Sequence, residues 1–216
     1  MLQQLPQKLS LVLLQEWDTV LYLGRMAVRW LLRHAETGIY EVLDYDSTLE
    51  LLDSRGENAV FKRKQKVRFL QNDVIAYQDH AWGDGDILAG YECSPGVVAD
   101  CYQDGDRWNI LISLRETKNR GDVEDIYITR RVKNGFTEDE EWRQIEVWYT
   151  IKQLRISVIF PQDRPCQRAV LQPRRTNKTI PLGPEHFRTL PDGRQILTWE
   201  KKNPRRAEVY TLRWKW

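Results

Sequence analysis

The sequence predicts a mainly β protein, an antiparallel β-sandwich-like architecture with an N-terminal helical segment. Three observations predict it. From residue 39 onward apolar residues recur mostly at every second position, the repeat of a strand with one face buried. Turn formers interrupt that repeat at short intervals, at Gly56, Gly83-Asp84-Gly85-Asp86, Asp104-Gly105-Asp106 and Asn134-Gly135; such residues close hairpins. No helical run separates one strand from the next, so helical crossovers and a parallel sheet are not expected.

The N-terminal segment, residues 1–38, reads differently. Leu9, Val12, Leu13, Trp17, Val20 and Leu21 step by three and four, the spacing of one helix face. Gly24 divides the run, residues 25–34 form a basic amphipathic piece, and Gly38 is a natural stop. Such a stripe packs on the domain that follows or lies on a membrane surface.

Residues 39–216 form the β-rich region, as one large body or as two subdomains, 39–138 and 139–216. The break in the second case is the acidic loop Glu138-Asp139-Glu140-Glu141. Segments 40–52 and 59–70 are expected to pair about the loop 53–57. That register sets Leu43, Tyr45, Leu49 and Leu51 against Val67, Gln65, Phe61 and Ala59. It also sets Asp46 beside Lys64 and Asp44 beside Lys66 on the other face. Lys62, Lys64, Lys66 and Arg68 then form a basic stripe facing Asp44, Asp46 and Glu50. Cross-strand pairs of opposite charge stabilise a hairpin, so the stripe is read as a self-neutralised sheet face in preference to a phosphate-binding strip.

Segments 74–77 and 87–93 flank the 83–86 turn, and 97–102 and 107–115 flank the 104–106 turn. Trp108, Ile110, Ile112 and Leu114 alternate cleanly with polar residues. Strand 123–132 ends at Asn134-Gly135. Ile145, Val147, Tyr149 and Ile151 share a face, as do Leu154, Ile156, Val158 and Phe160, with Lys152-Gln153 expected as a two-residue turn between them. After a proline-punctuated stretch the chain closes with strands 195–199 and 208–216.

Composition bounds the function. The chain has 216 residues, 41% hydrophobic and 30% charged, enough for a core without a disulfide or metal staple. No apolar run reaches the length of a membrane-spanning helix. The opening MLQQLPQKLS lacks a secretory pattern. Cys93, Cys101 and Cys166 make an odd set with no zinc spacing, and a cytoplasmic location is expected. Net charge is +2, yet residues 146–216 hold 15 Lys/Arg against 6 Asp/Glu. Such asymmetry points to an anionic partner or to two halves that pack on each other.

No phosphate-binding loop, dinucleotide fingerprint, nucleophile elbow or zinc-protease helix is present. The leading expectation is therefore a non-catalytic protein-binding or regulatory module of the cytoplasm, contacting another protein through a sheet edge or the N-terminal helix. A second reading is a nucleic-acid-binding protein. Its residues are Arg174, Arg175, Lys201, Lys202, Arg205 and Arg206, with Trp214 among the aromatics that would stack bases. A third is a metal-dependent enzyme. Asp79, His80, Asp84 and Asp86 put one imidazole and three carboxylates into eight residues, donors that suit a divalent cation, although the spacing is not that of an EF-hand. No other cofactor is implied. Cys93 with His80 would make a thiol–imidazole pair, but nothing in their spacing brings them together.

Overall fold

The computed structural model describes residues 38–216; the expected N-terminal helix lies outside the described residues. Residues Tyr40–Trp216 cluster as one compact unit. In chain order its strands are β1 (Tyr40–Leu51), β2 (Asn58–Phe69), β3 (Val74–Ala81), β4 (Asp86–Ser94), β5 (Val97–Asp104), β6 (Arg107–Lys118), β7 (Val123–Lys133), β8 (Glu140–Glu146), β9 (Ile151–Phe160), β10 (Arg168–Pro173), β11 (Ile180–Pro181), β12 (Phe187–Thr189), β13 (Gln195–Lys202) and β14 (Val209–Lys215). A 3₁₀ turn, Pro184–His186, precedes β12.

These strands make three sheets. The largest has seven strands in the order β12-β13-β9-β1-β2-β7-β4, the second is β11-β10-β14-β8, and the third is β3-β6-β5. The predominance of β structure is as the alternating pattern predicts. The large sheet draws strands from both sides of the acidic loop at 138–141, including β9 and β13 from the C-terminal part.

One pairing departs from the expected antiparallel plan. β1 runs parallel to β9, from Val42 opposite Ile151 to Glu50 opposite Ile159. Parallel neighbours need a long connection. Here strands β2 to β8 supply it, so no helix is required.

The β1–β2 hairpin takes the expected register at Asp44, Tyr45, Asp46, Leu49 and Leu51, opposite Lys66, Gln65, Lys64, Phe61 and Ala59. A shift between Val42 and Asp44 places Val42, not Leu43, opposite Val67. Val42 is fully buried as a result. A one-residue slip exchanges the faces of a strand, and the bulge confines that exchange to the start of β1.

Two expected turns are absent. Lys152 and Gln153 lie inside β9, and the chain changes direction at residues 147–150 instead. β8 and β9 belong to different sheets, so the link must cross between layers. Backbone bonds hold it at both ends, Val147 N–H to Glu208 C=O at 2.9 Å and Val42 N–H to Thr150 C=O at 2.8 Å. The 83–86 segment closes no hairpin either. β3 continues through His80 to Ala81 and pairs with β6, while β4 pairs with β7. The chain therefore leaves one sheet and enters another at this point. Gly85 allows the crossing: its φ is +71°, and a Cβ there would lie 2.3 Å from the Lys133 carbonyl oxygen. The segment is thereby seated against the end of β7.

Alternation sends one face of each large-sheet strand inward. Leu49, Leu51, Phe61, Val67, Ile126, Ile128, Leu154, Ile156 and Val158 are all buried. From the second sheet, Ile145, Leu171, Leu212 and Trp214 are buried as well, and Trp214 meets Phe160 of the large sheet edge-on at 6.0 Å.

Candidate functional site

Four ionisable residues occupy inward positions where the alternation calls for apolar side chains. On β2, Arg63 falls between Phe61 and Gln65 in phase. On β7, Arg130 follows Ile126 and Ile128. On β8, Arg143 precedes Ile145. On β3, Asp79 lies between Tyr77 and Ala81. All four line one cavity of about 150 Å³, whose walls come from β1, β2, β3, β7 and β8, from single residues of β4 and β9, and from the 82–84, 135–136 and 148–149 segments.

Asp79 is the hub. It is 1% exposed. Its carboxylate accepts from Arg63 Nη2 at 2.7 Å, from the Tyr91 hydroxyl at 2.9 Å and from the His80 N–H at 2.7 Å. Burial opposes its ionisation, but Arg63, then Arg130, and these hydrogen bonds outweigh burial and hold the carboxyl below its ordinary range. Arg63 is 9% exposed and is raised in turn: burial works against its charge, and the pairing with Asp79 overcomes it.

The other two guanidiniums have no carboxylate within ion-pair distance among the described residues. Arg143, also 9% exposed, crosses from the second sheet to the first. It donates to the Ser47 hydroxyl at 2.6 Å, the Ser47 carbonyl at 3.4 Å and the Ser157 carbonyl at 3.2 Å. Burial pushes its pKa down to about 10. Burial also lowers that of Arg130, with Asp79 acting against the shift. Phe61 lies under both cations, 4.1 Å from Arg130 and 4.8 Å from Arg143, measured from Cζ to ring centroid. The Nε atoms of Arg63 and Arg130 and Nδ1 of His80 are buried without a hydrogen-bond partner among the described residues.

Two of these guanidiniums, Arg63 and Arg130, thus act on one carboxylate, while the third, Arg143, is held by neutral oxygens. Removing a charge from water costs several kcal/mol unless a counter-charge or hydrogen bonds replace the lost solvation. An anion among these arginines would supply both. The remaining carboxylates on the lining are engaged or peripheral. Glu146 pairs with Arg107 at 3.0 Å, buried Glu141 accepts from the Glu138 N–H at 2.9 Å, and Asp84 is exposed.

At one margin of the cavity Arg107 lies 4.7 Å from the Trp82 ring centroid and 5.1 Å from that of Trp148, which is 39% exposed. Arg206 donates to the Trp148 carbonyl at 3.2 Å. This margin therefore adjoins the basic C-terminal turns.

The residues singled out from the sequence are dispersed. Asp79 and His80 belong to β3, whereas Asp84 and Asp86 are exposed in and after the following turn. Asp79 is committed to arginine, and among the described residues no three His, Cys, Asp or Glu side chains converge as metal ligands. Arg174 and Arg175 are brought beside the 205–208 turn, through Arg174 N–H to the Val209 carbonyl at 2.9 Å and Arg175 N–H to the Glu208 carboxylate at 3.1 Å. They, Lys201, Lys202, Arg205 and Arg206 are exposed. Trp214 does not join them. It is 2% exposed and packs against Phe136 and Phe160, so no base can stack on it. Arg63, Arg130 and Arg143 were missing from the sequence-derived sets; a cation on the apolar phase of a strand is the signal that marks each.

No family model matches the chain, and no curated protein matches it. Among solved structures it is similar to a candidate protease from Parabacteroides distasonis, with 9% identity and a TM-score of 0.46 over 82% of this chain and 40% of that one. It is similar also to the M1 zinc metallopeptidase of Deinococcus radiodurans, at 11% identity and a TM-score of 0.47 over 80% of this chain and 42% of that one. A mutant form of the same enzyme gives 11% and 0.44. The chain spans about 40% of the length of these proteins. At such scores the likeness assigns neither a fold family nor an activity.

Proposed function

We propose that the protein is a non-catalytic binding module that receives an anionic group in the arginine-lined cavity where its sheets meet. The observation that carries this is the convergence of three inward arginines on one cavity in which a single buried carboxylate, Asp79, serves Arg63 and Arg130, both of which have buried Nε–H donors without partners among the described residues. Orphaned buried donors are uncommon and call for an explanation; a bound anion is the simplest. This refines the expectation of a protein-binding module: the best-built site suits a chemical group small enough to enter a cavity. The same reading takes the seven- and four-stranded sheets as the two layers of a sandwich-like body, with Arg143 reaching from one to the other.

The test is thermal melting of the chain in sulfate, phosphate and simple carboxylates at constant ionic strength. A ligand that binds only the folded state raises Tm saturably. Wild type is expected to respond to at least one anion, and Arg143→Met, which keeps the side-chain bulk without the charge, is expected not to respond. Equal responses in both proteins, or none in either, would overturn the reading.

A further inference from the structure

Resting on that reading, we infer that the ligand is a small organic monocarboxylate with an apolar body about the size of one six-membered ring. Three features of the cavity select it.

The first is volume. A space of about 150 Å³ is that of engineered apolar cavities that take up benzene.

The second is the wall. Val42, Leu49, Phe61, Ile145 and Ile151 contribute apolar surface on the same lining as the arginines. A bare inorganic anion would leave that surface facing nothing, whereas a ring or a branched chain of similar size covers it.

The third is the donor set. Much of the cluster's capacity is already taken: Arg63 Nη2 by Asp79, Arg143 Nη1 by the Ser47 and Ser157 carbonyls, and Arg143 Nη2 by the Ser47 hydroxyl. Among the described residues, the guanidinium nitrogens that are fully buried without a partner are Nε of Arg63 and Nε of Arg130. These residues sit diagonally on paired strands, Arg63 opposite Ile128 and Arg130 opposite Phe61, and both act on the same Asp79. Two N–H donors match the two oxygens of one carboxylate.

The approach is also suited to an anion. Arg107 stands between Trp82 and Trp148, and Arg206 is bonded to the Trp148 backbone. Exposed Arg205 and the paired turn bearing Arg174 and Arg175 extend the basic surface away from this margin. A one-signed surface beside a cleft raises the local concentration of counter-ions. The ligand therefore meets cations along its path and apolar walls at its end.

The experiment is calorimetric titration of the full chain with benzoate, cyclohexanecarboxylate, acetate, benzamide, phosphate and sulfate. Tryptophan fluorescence is recorded in parallel, because Trp82, Trp142 and Trp148 line the cavity. Benzoate or cyclohexanecarboxylate is expected to bind one per chain, at least tenfold tighter than acetate and than the isosteric, uncharged benzamide. Arg143→Met is expected to weaken benzoate at least tenfold. Should that variant misfold by circular dichroism, Arg130→Lys, which keeps the charge and loses the planar fork, is expected to weaken it in the same direction. Binding of phosphate or sulfate without benzoate would overturn the carboxylate inference and leave the anion-binding reading standing. Benzamide binding as tightly as benzoate would overturn it too, because charge would then not be read. Silence from every anion would overturn both.

Discussion

Strand β2 carries two sets of basic side chains, one residue out of phase, and they sit in different dielectric surroundings. Lys62, Lys64, Lys66 and Arg68 point outward and are exposed. Their charge is met on the surface: Lys62 pairs with Glu50 at 3.0 Å, Arg68 pairs with Glu41 at 3.1 Å, and Lys64 lies 5.4 Å from the Tyr127 ring centroid. Arg63, on the inward phase, shares Asp79 with Arg130 in a space largely closed to water. The outward stripe has more cations, but water and nearby carboxylates screen them and each contact is worth little. The inward set has fewer, and its desolvation makes each missing partner expensive. The comparison teaches that the density of charge along a strand is a poor guide to binding; charge that water cannot reach is a better one.

The largest effect should follow from removing the shared carboxylate. Asp79→Ala leaves Arg63 buried without its counter-charge and deprives half-buried Arg130 of its nearest one, and breaking a buried pair such as Arg63–Asp79 costs about 3–5 kcal/mol. Urea denaturation monitored by fluorescence reads it directly. A loss under about 1 kcal/mol would mean that the cluster is as well hydrated as the outer stripe, and the comparison would fail.

A smaller, pH-dependent effect belongs to His80, beside the hub. Burial lowers its pKa, followed by an opposing pull from Asp79 and a further lowering by Arg107. The folded protein therefore prefers the neutral ring, while the unfolded chain takes up a proton near the ordinary value of about 6.5. The stability owed to this preference is full above that pH and is lost as pH falls toward the lower folded value. The slope is at most about 1.4 kcal/mol per pH unit. Denaturation curves for His80→Gln should be flatter than wild type below pH 6.5 and parallel to it above. Parallel curves throughout would place His80 in a wetter setting than its burial indicates.

Much of the fold was legible because period-2 alternation reports one buried face directly. The β1–β2 register followed from matching Leu49 with Phe61 and Leu51 with Ala59. The parallel β1–β9 pair, the bulge at Leu43 and the sheet change at 83–86 were not legible. Each depends on where a distant strand lies, and local pattern holds no record of that. The site was half legible. Asp79 was singled out for the acidic company of Asp84 and Asp86, yet its partners are arginines far along the chain, at positions 63 and 130. Arg63, Arg130 and Arg143 each break an apolar phase, which could be read from the sequence. That they break it toward a common cavity could not. The aromatic partner expected for the basic C-terminal turns failed for the opposite reason: Trp214 keeps its phase and is core.

The smallest effect should come from the outer stripe, and it is the control that gives the others meaning. Lys62→Ala removes the contact with Glu50, whose carboxylate is also held by Arg194 at 2.6 Å. Glu50 therefore keeps a partner, and Lys62 is 57% exposed and readily hydrated. The expected loss is under about 1 kcal/mol. It should shrink further at molar salt, where the screening length falls to about 3 Å. Benzoate affinity should not change, because Lys62 points away from the cavity. Should Lys62→Ala weaken the carboxylate as much as Arg143→Met does, the field of the whole surface and not the desolvated cluster would govern binding, and the contrast between the two faces of β2 would lose its functional meaning.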